Sequence, residues 1–328
     1  MEKRIQTLLE LSNVQDIYPA PVATAYDRII ECEPDPVVDA LKFAAYMQNQ
    51  TVVTEPQLRL PGMFRFDGSF RGDLFQRPGY PRWREIAALF YLKPYKNFVT
   101  FEWEHSVLDY KLILENGLDG LLKKIEKSEE THAGDKERLD YLRALKIVCN
   151  GMIAWCERLA SGFEAAAKTA PDAARSKELT VTAAACRRSP RFPAQSFREA
   201  ITAVSICFHF NPDSIGLIDR YLYPYYTRDL QSGKITKAEA KSLLQEFFIN
   251  IKAYTPYFAG NADRGGESHF ALGGYDENMN DCWNELSELI LESLLELPMC
   301  CPQISLRHTK KTPFSVLYKL LDCERRDS

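Results

Sequence analysis

The residues able to carry chemistry are few and fall mostly in two stretches, Asn97–His105 and Ser214–Arg307. His105 is the leading candidate. An imidazole can orient a substrate hydroxyl and shuttle its proton; packing beside Trp103 is the competing use. Ser214, with Asp213 before it, is either a short hydroxyl facing a cavity or the N-cap of a helix running from Gly216, and the second is favoured because serine and aspartate are good caps. Ser268 and His269 precede the turn Gly273-Gly274. In a strand they point to opposite faces, and Ser268 is expected to face inward. Arg307 can clamp a carboxylate bidentately or serve a structural ion pair. Asn284, Glu285 and Ser287 fit the start of a helix, where they bind backbone amides. The adjacent thiols Cys300 and Cys301 lie in an apolar approach to a strand and are read as small core residues. Glu102, Glu104, His105, Glu267 and His269 are metal-ligand types, but no HExxH spacing joins them and no CxxC pair supports a structural zinc site.

The elements that must position these groups are mainly helices. Leu142, Leu145, Val148, Met152, Trp155 and Leu159 recur at three- and four-residue steps and form one face of a long helix. Pro36 suits the first turn of an earlier helix, and others are expected from Ser106 to about Ile125 and over Asp172–Arg187. Ser196–Glu199 and Thr236–Glu239 both fit the capping box. Trp283, Leu286, Ile290 and Leu294 form the apolar face of another helix, ended by Pro298. Residues 51–98 are rich in Gly, Pro, Arg and aromatics and read as irregular connections. Extended pieces are expected at Asn97–Trp103, Ile206–Phe210, Ser268–Leu272 and Gln303–Arg307. Helices alternating with short apolar strands argue for an α/β fold with a buried sheet.

Composition removes several classes. The 328 residues are 45% apolar and 26% charged with net charge −4, so no basic field recruits nucleic acid. The cluster Arg187, Arg188 and Arg191 is too small to change that and reads as solvated surface or a subunit contact. No apolar run nears the roughly 18 residues of a membrane span, and the N-terminus lacks the core of a signal peptide. A cytoplasmic location is the resulting expectation. The nine cysteines, odd in number and several in apolar helical stretches, are expected to be reduced and mostly buried.

Four segments, in order, resemble the glycyl radical enzymes of the pyruvate formate-lyase type. They are Glu104-His105 with Asp109-Tyr110, Gly117 and Gly120; the proline-rich run Pro190–Ala200; Ser214-Ile215-Gly216 with Asp219, Tyr221–Tyr226, Asp229, Gly233 and Ile235–Ala240; and Phe270–Asp276 with Asn284–Ser287 and Pro302–His308. Leu217 and Arg220 depart from the family's Arg and Gln, and Glu104 stands where the family has glycine. The Tyr221–Tyr226 run is expected to be helix packing rather than a ligand box.

The resemblance implies a helix-rich α/β fold, the N-terminal half of a ten-stranded barrel built from two half-sheets. It further implies one partial domain over 1–328, with 1–97 outside the match and 98–328 the family-like core. The activity implied is radical cleavage of a C–C or C–X bond in a small polar substrate, as lyase or dehydratase. Dehydratase-like members place a histidine and a residue eight earlier against the substrate, here His105 and Asn97. The implied partners are an activase, which installs the glycyl radical using S-adenosylmethionine and an iron–sulfur cluster, and a second copy in a homodimer. The family's cysteine loop and radical glycine lie after the Pro302–Arg307 strand, and no matching motif occurs in these 328 residues. The chain is therefore expected to bind no cofactor and to be inactive alone, as a fragment or as a split subunit that docks a C-terminal partner.

Overall fold

The computed structural model describes residues 2–12, 33–49, 52–55, 57–62, 107–210, 214–254, 268–299 and 302–326. Among them the helices are α1 (Lys3–Ser12), α2 (Asp35–Asn49), α3 (Tyr110–Thr131), α4 (Lys136–Lys168), α5 (Ala173–Arg188), α6 (Phe197–Phe210), α7 (Ile218–Tyr221), α8 (Tyr223–Gln231), α9 (Lys237–Tyr254), α10 (Glu285–Leu295) and α11 (Phe314–Arg326). The strands are β1 (Ser214–Gly216), β2 (His269–Gly273) and β3 (Gln303–Arg307), all parallel, in the order β1-β2-β3. Val107 adds a parallel bridge to Ser214 on the outer side of β1. Helices connect successive strands, as parallel pairing requires. The expected strand at Asn97–Trp103 lies outside the described residues.

Local chemistry sets most helix ends. Asp135 accepts the Arg138 amide (3.1 Å) to start α4 and Asp172 the Arg175 amide (2.7 Å) to start α5. At α9, Thr236 and Glu239 satisfy each other's backbone amides. At α6 the box is half made. The Glu199 amide donates to Ser196 Oγ, but the Glu199 carboxylate turns to Arg188 and the Gln195 amide. The start of α6 is instead completed by buried Asp229, whose Oδ2 accepts the Phe197 amide at 2.7 Å. Gly117, inside α3, has φ 66°, where a Cβ would lie 2.5 Å from the Arg191 carbonyl oxygen. A glycine there lets the chain kink against residues 190–192, whose carbonyls take the Leu118 and Asp119 amides.

One stretch corrects the sequence reading. Ile206–Phe210 is not a strand but the last part of α6, buried throughout. A helix enclosed on all sides has no polar face, so its apolar run is indistinguishable by periodicity from a buried strand.

The apolar core runs from α1 to the sheet. Trp155 and Phe163 of α4, Phe197 and Cys207 of α6, and Phe247 and Phe248 of α9 are fully or almost fully buried, and Phe248 stacks on Phe270 of β2 at 5.6 Å. Cys149, Cys156, Cys186 and Cys207 are free and buried, and burial raises all four thiol pKa values, which keeps them protonated. Tyr221 stacks on Tyr110 (5.3 Å) and donates to the Ile215 carbonyl (2.8 Å), so the aromatic run packs helices, as expected.

The N-terminal residues are tied down by a buried carboxylate. Glu246 of α9 is fully buried; its Oε1 accepts the Arg59 and Leu60 amides (2.6 and 2.8 Å), and its Oε2 pairs with Arg4 of α1. Arg4 also reaches Ser242 Oγ and the Gln57 carbonyl.

Candidate substrate face

Strand register divides the sheet into two unlike faces. Residues paired across a sheet point the same way, and successive residues alternate. Ser214 pairs with His269, and His269 with Gln303, forming one row; Ala271 with Ser305 and Gly273 with Arg307 form two more on the same side. Phe270 with Ile304 and Leu272 with Leu306 point the other way. Phe270 and Leu272 lie in the core against the helices, whereas Gln303, Ser305 and Arg307 are exposed. One face is thus apolar and covered, the other polar and open. On the open face His269 Nε2 lies 3.1 Å from Ser305 Oγ, and Ser214 Oγ donates to the His269 carbonyl at 3.3 Å.

A buried carboxylate holds the end of this face. Asp219 of α7 is 0% exposed. Its Oδ2 accepts the Gly273 amide (2.8 Å) and the Ser287 hydroxyl (2.6 Å), while its carbonyl accepts Asn284 Nδ2 (3.0 Å). Burial raises its pKa, against the lowering effect of the Ser287 and Gly273 hydrogen bonds. Asn284 caps α10, with Ser287 completing a capping box, so those two groups are structural as expected. Arg220 donates to the Gly273 and Tyr275 carbonyls at 2.9 Å each. Gly273 and Gly274 have φ of 68° and 85°. A Cβ on Gly274 would sit 3.0 Å from the Arg307 side chain, so this glycine makes room for the guanidinium as well as the turn.

The site residues expected from sequence are only partly brought together. Register places Ser214 and Arg307 on the same side of the sheet, but Arg307 is exposed whereas Ser214 is 8% exposed, its hydroxyl turned to the His269 carbonyl. Ser214 is not a helix N-cap: it lies in β1, its Oγ accepts the Gly216 amide (3.3 Å), and the next helix starts at Ile218 after Leu217. The helical reading failed because Gly216, at φ 68°, turns the chain between strand and helix. Ser268 is 2% exposed and alternates with Phe270 on the covered side, so His269 is the one of the pair on the open face. His105, Asn97, Asp213, Glu267, Cys300 and Cys301 lie outside the described residues. Sequence reasoning missed Ser305, which alternation along Gln303–Arg307 would have placed beside Arg307, and the keystone role of Asp219. Among the described residues no group of three His, Cys, Asp or Glu could hold a metal ion, and no helix is long and apolar enough to cross a membrane.

The described residues thus combine a small parallel sheet, surrounding helices and one sheet face that helices leave uncovered along β3. The pyruvate formate lyase-like family model matches residues 82–327, and the chain belongs to that family. Among curated relatives, the isethionate sulfite-lyase of Oleidesulfovibrio alaskensis is 30% identical over 247 residues, covering 68% of this chain and 29% of that protein. A glycyl radical enzyme from Archaeoglobus fulgidus has a TM-score of 0.80 at 21% identity over 98% of this chain and 50% of that one. The hydroxyproline dehydratase of Clostridioides difficile, solved with trans-4-hydroxy-L-proline, has a TM-score of 0.82 at 20% identity over 99% of this chain and 50% of that one. The chain thus spans about 29% of the relative's length and half of each solved barrel.

Proposed function

We propose that this chain supplies the substrate-facing half-barrel of a glycyl radical enzyme that cleaves a C–C or C–X bond in a small polar substrate, as lyase or dehydratase. The observation that carries this is the polar open face of β1–β3 in a fold spanning half of the solved barrels. On this reading Ser214 and Arg307, with His105 and Asn97, line the substrate space; Ser268 supports β2 from the covered side. The thiyl cysteine and radical glycine come from the other half, activated by a radical S-adenosylmethionine enzyme, and the completed protein is a homodimer. The 328 residues alone are inactive. In the completed enzyme His105→Ala is expected to lower kcat roughly 100-fold or more, the scale of a lost general acid or base, with little change in the urea unfolding midpoint. Unchanged turnover would return His105 to a packing role.

A second reading, a non-catalytic subunit that docks a C-terminal partner, is favoured by α11. Phe314, Tyr318 and Leu321 form an apolar stripe exposed by 78%, 67% and 57%, opposite buried Val316. A helix apolar on two opposite sides suits a place between two layers.

A further inference from the structure

Three buried polar side chains stand in a row on the face of α9 that meets the N-terminal residues. Ser242, Glu246 and Asn250 follow one another at four-residue steps, which puts them on one side of the helix. The first two are fully used. Ser242 Oγ accepts from Arg4 and donates to Glu2, and Glu246 holds Arg4 and the Arg59 and Leu60 amides. Asn250 is not. A Cβ on Gly62 would collide with Asn250 Nδ2, so the carboxamide fills the space a side chain at 62 would take. Asn250 is 5% exposed, and neither its Oδ1 nor its Nδ2 has a protein partner. A carboxamide can donate twice and accept twice, and native folds seldom bury one with all four positions unmet.

The carboxamide lines a small cavity between α6 and α9, bounded also by Ser205, His209 and the rings of Phe208 and Phe247. The cavity admits the centre of a water-sized sphere over about 10 Å³, which is room for one water molecule. Ser205 Oγ gives its proton to the Pro61 carbonyl at 2.6 Å, so toward the cavity it can only accept. His209 is neutral there, because burial lowers its pKa to about 3, and no other wall residue is ionisable. The lining therefore suits a neutral ligand with protons to give.

We infer that this cavity is a binding site for a single water molecule, held between Ser205 of α6 and Asn250 of α9. The water donates one proton to Ser205 Oγ and meets the Asn250 carboxamide with its other proton or a lone pair. The α9 row then has a partner at every step, and the water links α6 to α9 beside the Pro61–Gly62 peptide. The site is independent of the activity proposed for the chain.

The test is nuclear magnetic resonance of the whole chain, deuterated and labelled with ¹⁵N at asparagine, in ordinary water. Magnetisation transfer from water to the Asn250 side-chain amide protons is measured in the laboratory and rotating frames. Asn250→Leu assigns that amide pair by its loss, and Asn250→Ser does so if the leucine variant does not fold. Cross-peaks of opposite sign in the two experiments, the mark of a held water rather than of proton exchange, are expected. Ser205→Ala should weaken or remove them, because the water loses its acceptor. Peaks of one sign, or none, would show a cavity without a held water and overturn the site. Peaks unchanged in Ser205→Ala would overturn the assignment of Ser205 as a partner.

Discussion

Replacing Glu246 by Ala is expected to destabilise the protein by about 3–5 kcal/mol, the cost of breaking a buried ion pair by removing one partner. The Glu246 side chain has no solvent exposure and that of Arg4 is 11% exposed. Truncation leaves the amides of Arg59 and Leu60 without their acceptor and removes the buried carboxylate from the Arg4 guanidinium, which keeps only Gln57, Ser242 and the half-exposed Glu2. Each loses a partner that water cannot readily replace in the core. Glu246→Gln keeps an oxygen for the two amides but loses the charge facing Arg4, so a smaller loss is expected. Urea unfolding measures both. Amide hydrogen exchange adds a local readout: Arg59 and Leu60 should exchange faster in Glu246→Ala, because the link from residues 57–62 to α9 is gone. A loss below about 1 kcal/mol, the range of exposed pairs, would mean that Glu246 is not the anchor.

Acid should destabilise this chain through His209. The ring is 1% exposed, stacked on Trp155 at 6.3 Å and edge-on to Phe210 at 4.9 Å. Burial lowers its pKa from 6.5 to about 3. Above pH 6.5 the ring is neutral both folded and unfolded, and its full contribution is present. Below pH 6.5 the unfolded chain binds a proton that the folded chain excludes until about pH 3, so stability falls across that window. The slope approaches about 1.4 kcal/mol per pH unit, which amounts to about 3 kcal/mol by pH 4. His209→Phe keeps an aromatic ring and removes the titration. Urea unfolding between pH 7 and pH 4 should therefore show a shallower acid slope for the variant, whatever its stability at neutral pH. Equal slopes would show that His209 does not set the acid limit.

What could be read from the sequence was local. The α4 face and the Thr236–Glu239 box each depend on residues within a turn or two, and the structure reproduces them. The motif around Gly273 was legible as a turn, but its support was not. Asp219 lies 54 residues before Gly273 and 68 before Ser287, and nothing local marks a carboxylate that will close on both. The end of α6 was misread because full burial erases the helical period. β1 was missed because three residues ending in a left-handed glycine carry no alternation to detect. For the site, strand alternation correctly required Ser268 and His269 to diverge, but which of them faces the open side depends on the pairing of β2 with β3. That register decides the fate of Ser305 and Arg307 as well.

The central claim, that this chain supplies one half of a radical barrel, is tested most directly by electron paramagnetic resonance. The chain would be treated anaerobically with a glycyl radical activase, alone and together with the portion of the Oleidesulfovibrio alaskensis isethionate sulfite-lyase that it does not match. No glycyl doublet is predicted from the 328 residues alone, and a doublet is predicted once the two portions are combined. A doublet from the chain by itself, or none from the combination, would contradict the account.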